Sequence, residues 1–347
     1  MSRLLPALVI ALLAAACVSP DPTIEARVAE VDQARLMRHV ESLCALGPRP
    51  ASYTETTVAT LAYLEQELRS YGLEVRRHTF SATMRTWTRK QADDGRQSFV
   101  LGARPGVHHN VIAEKRGTRP TAVELGAHYD TVVFGPGADD NTSGVALALE
   151  VARLVAEVPT EKSIRIVFFA MEEEGKVGSR EYVEQLARDG DLPEGAIVVD
   201  GIGCASDEPG SQRRPADGPP RVPFVYWPPD VGDFVLVAGN WDSGWLGNLY
   251  EGCAATYVPD LPLYSLNRIA GWFSDSSRSD HWNYWQAGVP AVWLTDTGEY
   301  RNPGYHTPDD RPEVIDPVFL RRCTQAVLAT MLEWTEVATA AEREGQR

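Results

Sequence analysis

The sequence predicts an α/β fold, a central sheet flanked by helices on both faces, and three observations lead there. Short β-branched runs alternate with helical periodicity between residues 73 and 200. The segment "NTSGVALALEVARLVAEV" (141–158) reads as an almost wholly apolar helix, which only burial against a sheet accommodates. Chemistry-bearing residues recur where predicted strands finish, in "ELGAHYDT", "FFAMEEEG" and "VVD". The 347 residues, 44% hydrophobic and 23% charged, exclude disorder for most of the chain and suit one large domain.

The N-terminus "MSRLLPALVIALLAAACVSP" has one Arg, an apolar run from Leu4 to Ala16, and then Cys17. That run is too short for a mature membrane span and has the layout of a secretory signal over 1–16. It resembles a bacterial lipoprotein signal, which implies lipidation of Cys17; ordinary cleavage near Ala16 is the alternative. Without a retention aspartate after Cys17, the expectation is an outer-membrane lipoprotein facing the periplasm or the cell surface. Residues 17–34 read as a polar tether, and 35–340 as a single domain.

"SYTETTVATLAYLEQELRSYG" spaces Val58, Leu61, Leu64 and Leu68 three and four apart and stops at Gly72, an amphipathic helix. Strands follow over Leu73–Phe80, Asn110–Ala113 and Val123–Ala127, and then the buried helix. Strand Ile164–Ala170, a helix around Ser179–Arg188 and strand Ala196–Asp200 complete the alternation. Between 201 and 234 the pattern breaks into a Pro-, Gly- and Asp-rich loop whose Phe224, Tyr226 and Trp227 suggest packing over a surface. Strands Phe234–Gly239 and Ala291–Leu294 and a helix Phe319–Val337 close the domain. The four cysteines Cys44, Cys204, Cys253 and Cys323 form no CxxC pair and read as structural. A net charge of −15 and the lack of a basic stripe argue against nucleic acid, and leave a lipid anchor as the only contact with membrane.

At the strand ends stand His128 and Asp130, the run Glu172 to Glu174, and Asp200, with the pair Asp139 and Asp140 at the start of the buried helix. Each alone has a bland reading: a local hydrogen bond, a helix cap, a solvated acidic face. Together they crowd anions into one crevice, where a divalent cation compensates the repulsion. Imidazole with carboxylate, and no phosphate-cradling loop, points to a divalent metal rather than a nucleotide.

In order along the chain, "HNVIAEKRG", "GAHYDT", "PGADDNTSG", "FFAMEEEGKVGS", "VVD", "SDHWNYWQAGVPAVWLTD" and "YHTPDD" resemble the co-catalytic di-zinc aminopeptidases of clan MH. That family includes bacterial leucyl aminopeptidase, aminopeptidase S and the related glutaminyl cyclases. "SDEPGSQ" and "GDFVLVAGN" further resemble a bacterial branch with poorly defined substrates. The resemblance implies a mixed, largely parallel sheet and two Zn2+ ions. It makes His128 and Asp200 ligands of one ion, Glu173 and His306 ligands of the other, and Asp140 the bridge. Glu172 falls on the general base, Asp130 on a carboxylate accepting the other ring N–H of His128, and Glu174 on a surface bystander. Asp139 remains an alternative to Asp140. His281 reads as holding the site loop rather than a metal, and His39, His78, His108 and His109 as structural or solvent-facing.

The implied activity is removal of N-terminal residues from peptides with a free N-terminus. A glutaminyl cyclase-like acyltransferase, a carboxypeptidase or dipeptidase, and a non-catalytic binding lipoprotein are the alternatives. Trp227, Trp241, Trp245, Trp272, Trp282, Tyr300 and Tyr305 are candidate walls of a specificity pocket.

Overall fold

The computed structural model describes residues 18–91, 97–215 and 229–337. Residues 1–16, where a signal is expected, and Cys17, Phe224, Tyr226 and Trp227 lie outside the described residues. Eight strands form one sheet: β1 (Glu74–Gln91), β2 (Gln97–Lys115), β3 (Ala122–His128), β4 (Ser163–Phe169), β5 (Ala196–Val199), β6 (Val235–Gly239), β7 (Leu263–Leu266) and β8 (Ala291–Thr295). Their order is β1-β2-β4-β3-β5-β8-β6-β7. The central strands β4, β3, β5 and β8 run parallel, with antiparallel pairing at β1/β2, β2/β4 and β8/β6, so the sheet is mixed as expected.

Among the described residues eight α-helices surround it: α1 (Pro22–Ala29), α2 (Gln33–Cys44), α3 (Thr54–Ser70), α4 (Gly144–Ala156), α5 (Val177–Asp189), α6 (Gly244–Tyr257), α7 (His281–Gln286) and α8 (Pro317–Trp334). Alternate residues of β4 serve the two faces: Ile166 and Phe168 join the larger core with α4 and α8, while Val167 and Phe169 join a second core with Tyr182, Leu186 and Tyr284. Covered on both faces, β3 and β4 are buried throughout; each carries one charged residue, and Glu124 of β3 accepts from Arg165 of β4 (3.4 Å). Helix α4 is buried along nearly its whole length, and its Glu150 is offset by Arg153 (2.7 Å) and the Asp32 N–H (2.9 Å). The four cysteines are buried and unpaired.

Two expectations are corrected. Residues 17–34 are not simply a tether: Asp21 caps α1 by accepting from Thr23 N (2.6 Å), and Ile24 and Val28, one turn apart, are buried. Gln325 of α8 donates to Val28 O (3.0 Å), so the segment is part of the body. Strands β1 and β2 are much longer than their apolar stretches suggested, because their antiparallel pairing runs from Glu74↔Glu114 to Gln91↔Gln97 while β2 meets β4 only over 111–115. The far part of this hairpin projects beyond the sheet as a two-stranded arm.

Candidate metal centre

The C-terminal ends of β3, β4, β5 and β8 share one edge, where a parallel sheet collects its functional groups. His128 closes β3, Glu172 and Glu173 follow β4, and Asp200 follows β5. Asp140 arrives on the turn into α4, whose Asp140–Asn141 peptide is cis. Asn141 secures that turn, donating to Val199 O (2.9 Å) and accepting from Gly201 N (3.2 Å). His306 comes from the loop after β8, at φ 58°.

Asp140 stands between two imidazoles, with Oδ1 at 3.2 Å from His128 Nε2 and Oδ2 at 2.9 Å from His306 Nε2. Asp200 Oδ1 lies 3.3 Å from His128 Nε2, and Glu173 Oε2 lies 3.3 Å from His306 Nε2. Two triplets result, His128/Asp140/Asp200 and Asp140/Glu173/His306, each with its ligand atoms within 4.8 Å of one another. Glu172 belongs to neither and lines the cavity beside Asp140 and Asp200. Asp139 turns away: its Oδ1 accepts from Gly203 N (2.9 Å) and its Oδ2 from Asn302 Nδ2 (3.3 Å).

The electrostatics follow from packing these groups out of water. Burial pushes Glu172 well above the usual carboxyl range, reinforced by Asp200 and Asp280. Burial and the Asp140 charge push Glu173 up to about 7. Burial opposes protonation of both imidazoles, but it is outweighed by Asp200, Asp130 and Asp140 at His128, and by Asp140 and Glu173 at His306, which rises to about 10. Burial likewise opposes ionisation of Asp140, and the hydrogen bonds from His128 and His306 overcome it, leaving the carboxyl below its ordinary range. A cluster that must hold protons to relieve anionic crowding is one that cations would suit.

Asp130 occupies the expected place in a different way. Its backbone carbonyl is 3.1 Å from His128 Nδ1, whereas its carboxylate is 3.7 Å away, too long for a hydrogen bond. The carboxylate instead accepts the backbone N–H groups of Glu172 (3.1 Å) and Glu173 (3.3 Å). Glu174 is no surface bystander: its side chain is only 12% exposed and pairs with Arg85 at 2.7 Å. His281 holds a loop as expected, with Nε2 at 2.7 Å from Ser276 O and its ring stacked 5.2 Å from Trp293. His39, His78 and His108 are buried rather than solvent-facing. Sequence reasoning assigned no role to Asp310, although "YHTPDD" contains it; its carboxylate accepts from Asp139 N (3.0 Å) and Asp140 N (3.2 Å) and so anchors the bridging turn.

The cluster opens into a cavity of about 1150 Å³, including the part open to solvent. Leu236, Leu266, Phe273 and Trp293 make an apolar wall; Tyr300 and Tyr305 of the expected aromatics line it too. Tyr305 stacks on the His306 ring at 3.9 Å. Trp241 and Trp272 face solvent at 75% and 81% exposure.

Residues 110–221 and 264–331, just over half of the chain, match Peptidase family M28. YfbL of Escherichia coli, named as uncharacterized, is 35% identical over 219 residues, covering 59% of this chain and 64% of that one. The probable lipoprotein aminopeptidase LpqL of Mycobacterium tuberculosis is 42% identical over 227 residues, 60% of this chain and 41% of that one. The chain thus spans less than two thirds of the length of these relatives. The aminopeptidase from Aneurinibacillus sp. strain AM-1 shares the fold, with a TM-score of 0.67 over 90% of this chain and 97% of that one at 16% identity. The family match covers all the segments that carry His128, Asp130, Asp140, Glu172, Glu173, Asp200 and His306, and the chain belongs to peptidase family M28.

Proposed function

We propose that the chain is a zinc-dependent exopeptidase, an aminopeptidase that hydrolyses the first peptide bond of substrates with a free N-terminus. The observation that carries this reading is Asp140 facing both imidazoles through different oxygens. One ion would be held by His128, Asp140 and Asp200, the other by Asp140, Glu173 and His306. The residues fit zinc on chemistry, being imidazole nitrogen and carboxylate oxygen. Glu173 Oε1 is buried without a hydrogen-bond partner, an orphan that a cation accounts for. His128 turns Nδ1 toward a backbone carbonyl, which leaves Nε2 as the metal-facing nitrogen.

Two zinc ions bound there would polarise the scissile carbonyl and acidify water. Glu172 takes the proton of the attacking water and hands it to the departing amine. Asp130 keeps base and ligand in register by holding both backbone N–H groups, and Asp310 does the same for the bridging turn. The apolar wall accepts the side chain of the first residue and keeps bulk water away from the cleaved bond. Protein from residue 18 onward, loaded with zinc, should carry two ions and release N-terminal residues across a panel of aminoacyl, dipeptide and N-terminal Gln substrates. At most one ion, with cyclisation of N-terminal Gln in place of hydrolysis, refutes this and favours the acyltransferase.

One observation favours a dipeptidase or carboxypeptidase as second reading. Arg213 and Arg278 line the same cavity; Arg278 is held in a bidentate pair by Glu299 (2.5 and 2.7 Å), and the exposed Arg213 suits a short substrate's free carboxylate. Dipeptides should then be cleaved far faster than their C-terminal amides. For location we infer a lipoprotein anchored by acylated Cys17 in the outer membrane, facing the periplasm. LpqL is named a lipoprotein, and Val18 O accepts from Thr256 Oγ1 (3.1 Å) at the end of α6, so an anchor would hold the body close to the lipid. Cys17→Ser should shift the full chain out of the detergent phase. No helix among the described residues is long and apolar enough to cross a membrane.

A further inference from the structure

The loop that carries Glu172 and Glu173 begins and ends in the left-handed region, with Met171 and Lys176 both at φ 60°. Neither is glycine, so each position is strained and persists only where the surroundings impose it. Asp130 imposes it from one side, through the two N–H groups. The other side is held by the projecting arm. Arg85, on its β1 strand, donates from its backbone N (3.2 Å) and from Nε (2.7 Å) to Glu174 Oε2, and from Nη2 to the carbonyl oxygen of Glu173. The third glutamate of the run therefore gives the arm an acidic handle next to the ligand-bearing residue.

We propose that Arg85 is a positioning residue: through the Glu174 carboxylate and the Glu173 carbonyl it sets the direction of the Glu173 side chain, and thereby retention of the ion on the Glu173/His306 side. The proposal rests on the zinc reading above. Arg85 is itself 52% exposed at the side chain, and exposed ion pairs add little to global stability. Groups that orient a metal ligand commonly change metal affinity by about 10–100-fold. The two expectations together separate positioning from simple structural support.

The test uses zinc-loaded protein from residue 18 onward and measures zinc release to a competing chelator, alongside melting of the metal-free form. Arg85→Ala and Glu174→Gln should each weaken one of the two ions about tenfold or more and leave the other within about twofold. The double variant should be no worse than Arg85→Ala alone, because that substitution already removes the Glu174 contact together with the one to the Glu173 carbonyl. Arg85→Lys, which keeps a charge for Glu174 but lacks the planar fork, should fall in between. Metal-free melting should hardly move. Unchanged affinities in both single variants overturn the proposal, as does equal weakening of both ions with a lowered metal-free melting temperature. Failure of the zinc reading is seen separately, as wild-type protein that retains no zinc.

Discussion

Replacing Glu172 by Gln keeps the size and packing of the side chain and removes its capacity to accept a proton, while Glu173→Gln replaces a charged member of a metal triplet. Sequence propensity and charge do not tell these neighbours apart; the geometry does. Glu172 lines the cavity next to Asp140 and Asp200 outside both triplets, whereas Glu173 Oε2 is 3.3 Å from His306 Nε2 inside one. Glu172→Gln should therefore keep two zinc ions and lose about 10²–10⁴-fold in kcat, roughly 3–5 kcal/mol of transition-state stabilisation. Glu173→Gln leaves the His128/Asp140/Asp200 triplet intact, so it should retain one ion firmly, hold the second weakly, and regain part of its activity in excess zinc. Elemental analysis after gel filtration, paired with steady-state kinetics on a leucyl substrate, reads both numbers. If Glu172→Gln sheds zinc while Glu173→Gln keeps both ions, the roles of the glutamates are reassigned and the mechanism above is wrong.

Three further outcomes are expected. Acid should destabilise the fold through buried histidines: burial lowers His39 to about 4 and His281 to about 3. The unfolded chain thus takes up more protons below about pH 6.5, and stability present at pH 7 is lost as pH falls toward 4. His39 alone should account for about 2 kcal/mol between pH 7 and pH 5, a dependence that urea titrations of His39→Gln should flatten. Ile24→Ala should cost about 2–4 kcal/mol in urea unfolding, because Ile24 is only 2% exposed; a tether would show no change. Removing zinc with a chelator should lower the melting temperature, and zinc added back should restore it with a concentration dependence set by mass action, whereas magnesium should not. A melting temperature indifferent to chelator would argue that the two triplets are ordinary hydrogen-bonded clusters.

The central fold was legible from residues alone because burial on both faces leaves a plain signature: apart from Glu124 and Arg165, Val123–Ala127 and Ile164–Ala170 are apolar without alternation, and α4 is apolar except at Glu150 and Arg153. Parallel strands then carry whatever follows them to one edge, so His128, Glu172, Glu173 and Asp200 were bound to be neighbours once the strands were recognised. His306 was legible only through the resemblance, since it follows no strand directly; Asp140 was placed by the start of the buried helix, but its bridging role came only from the resemblance. Local sequence could not say which of two adjacent acids faces the imidazoles. Asp139 and Asp140 are turned apart by a turn held from distant segments, by the Asp310 carboxylate and, through Asn141, by Val199 and Gly201. Nor could it say where Glu174 goes, because its partner Arg85 is 89 positions away on an arm whose length depends on pairing with β2. Helix α1 has too few apolar residues to stand out, and Ile24 and Val28 count only when α8 is present to bury them. The sequence by itself determined which elements form and which chemistry meets at their ends, since those follow from periodicity and strand direction. Tertiary structure alone decided side-chain facing, loop clamps and the cavity wall from β6, β7 and β8, since each is a contact between segments far apart in the chain.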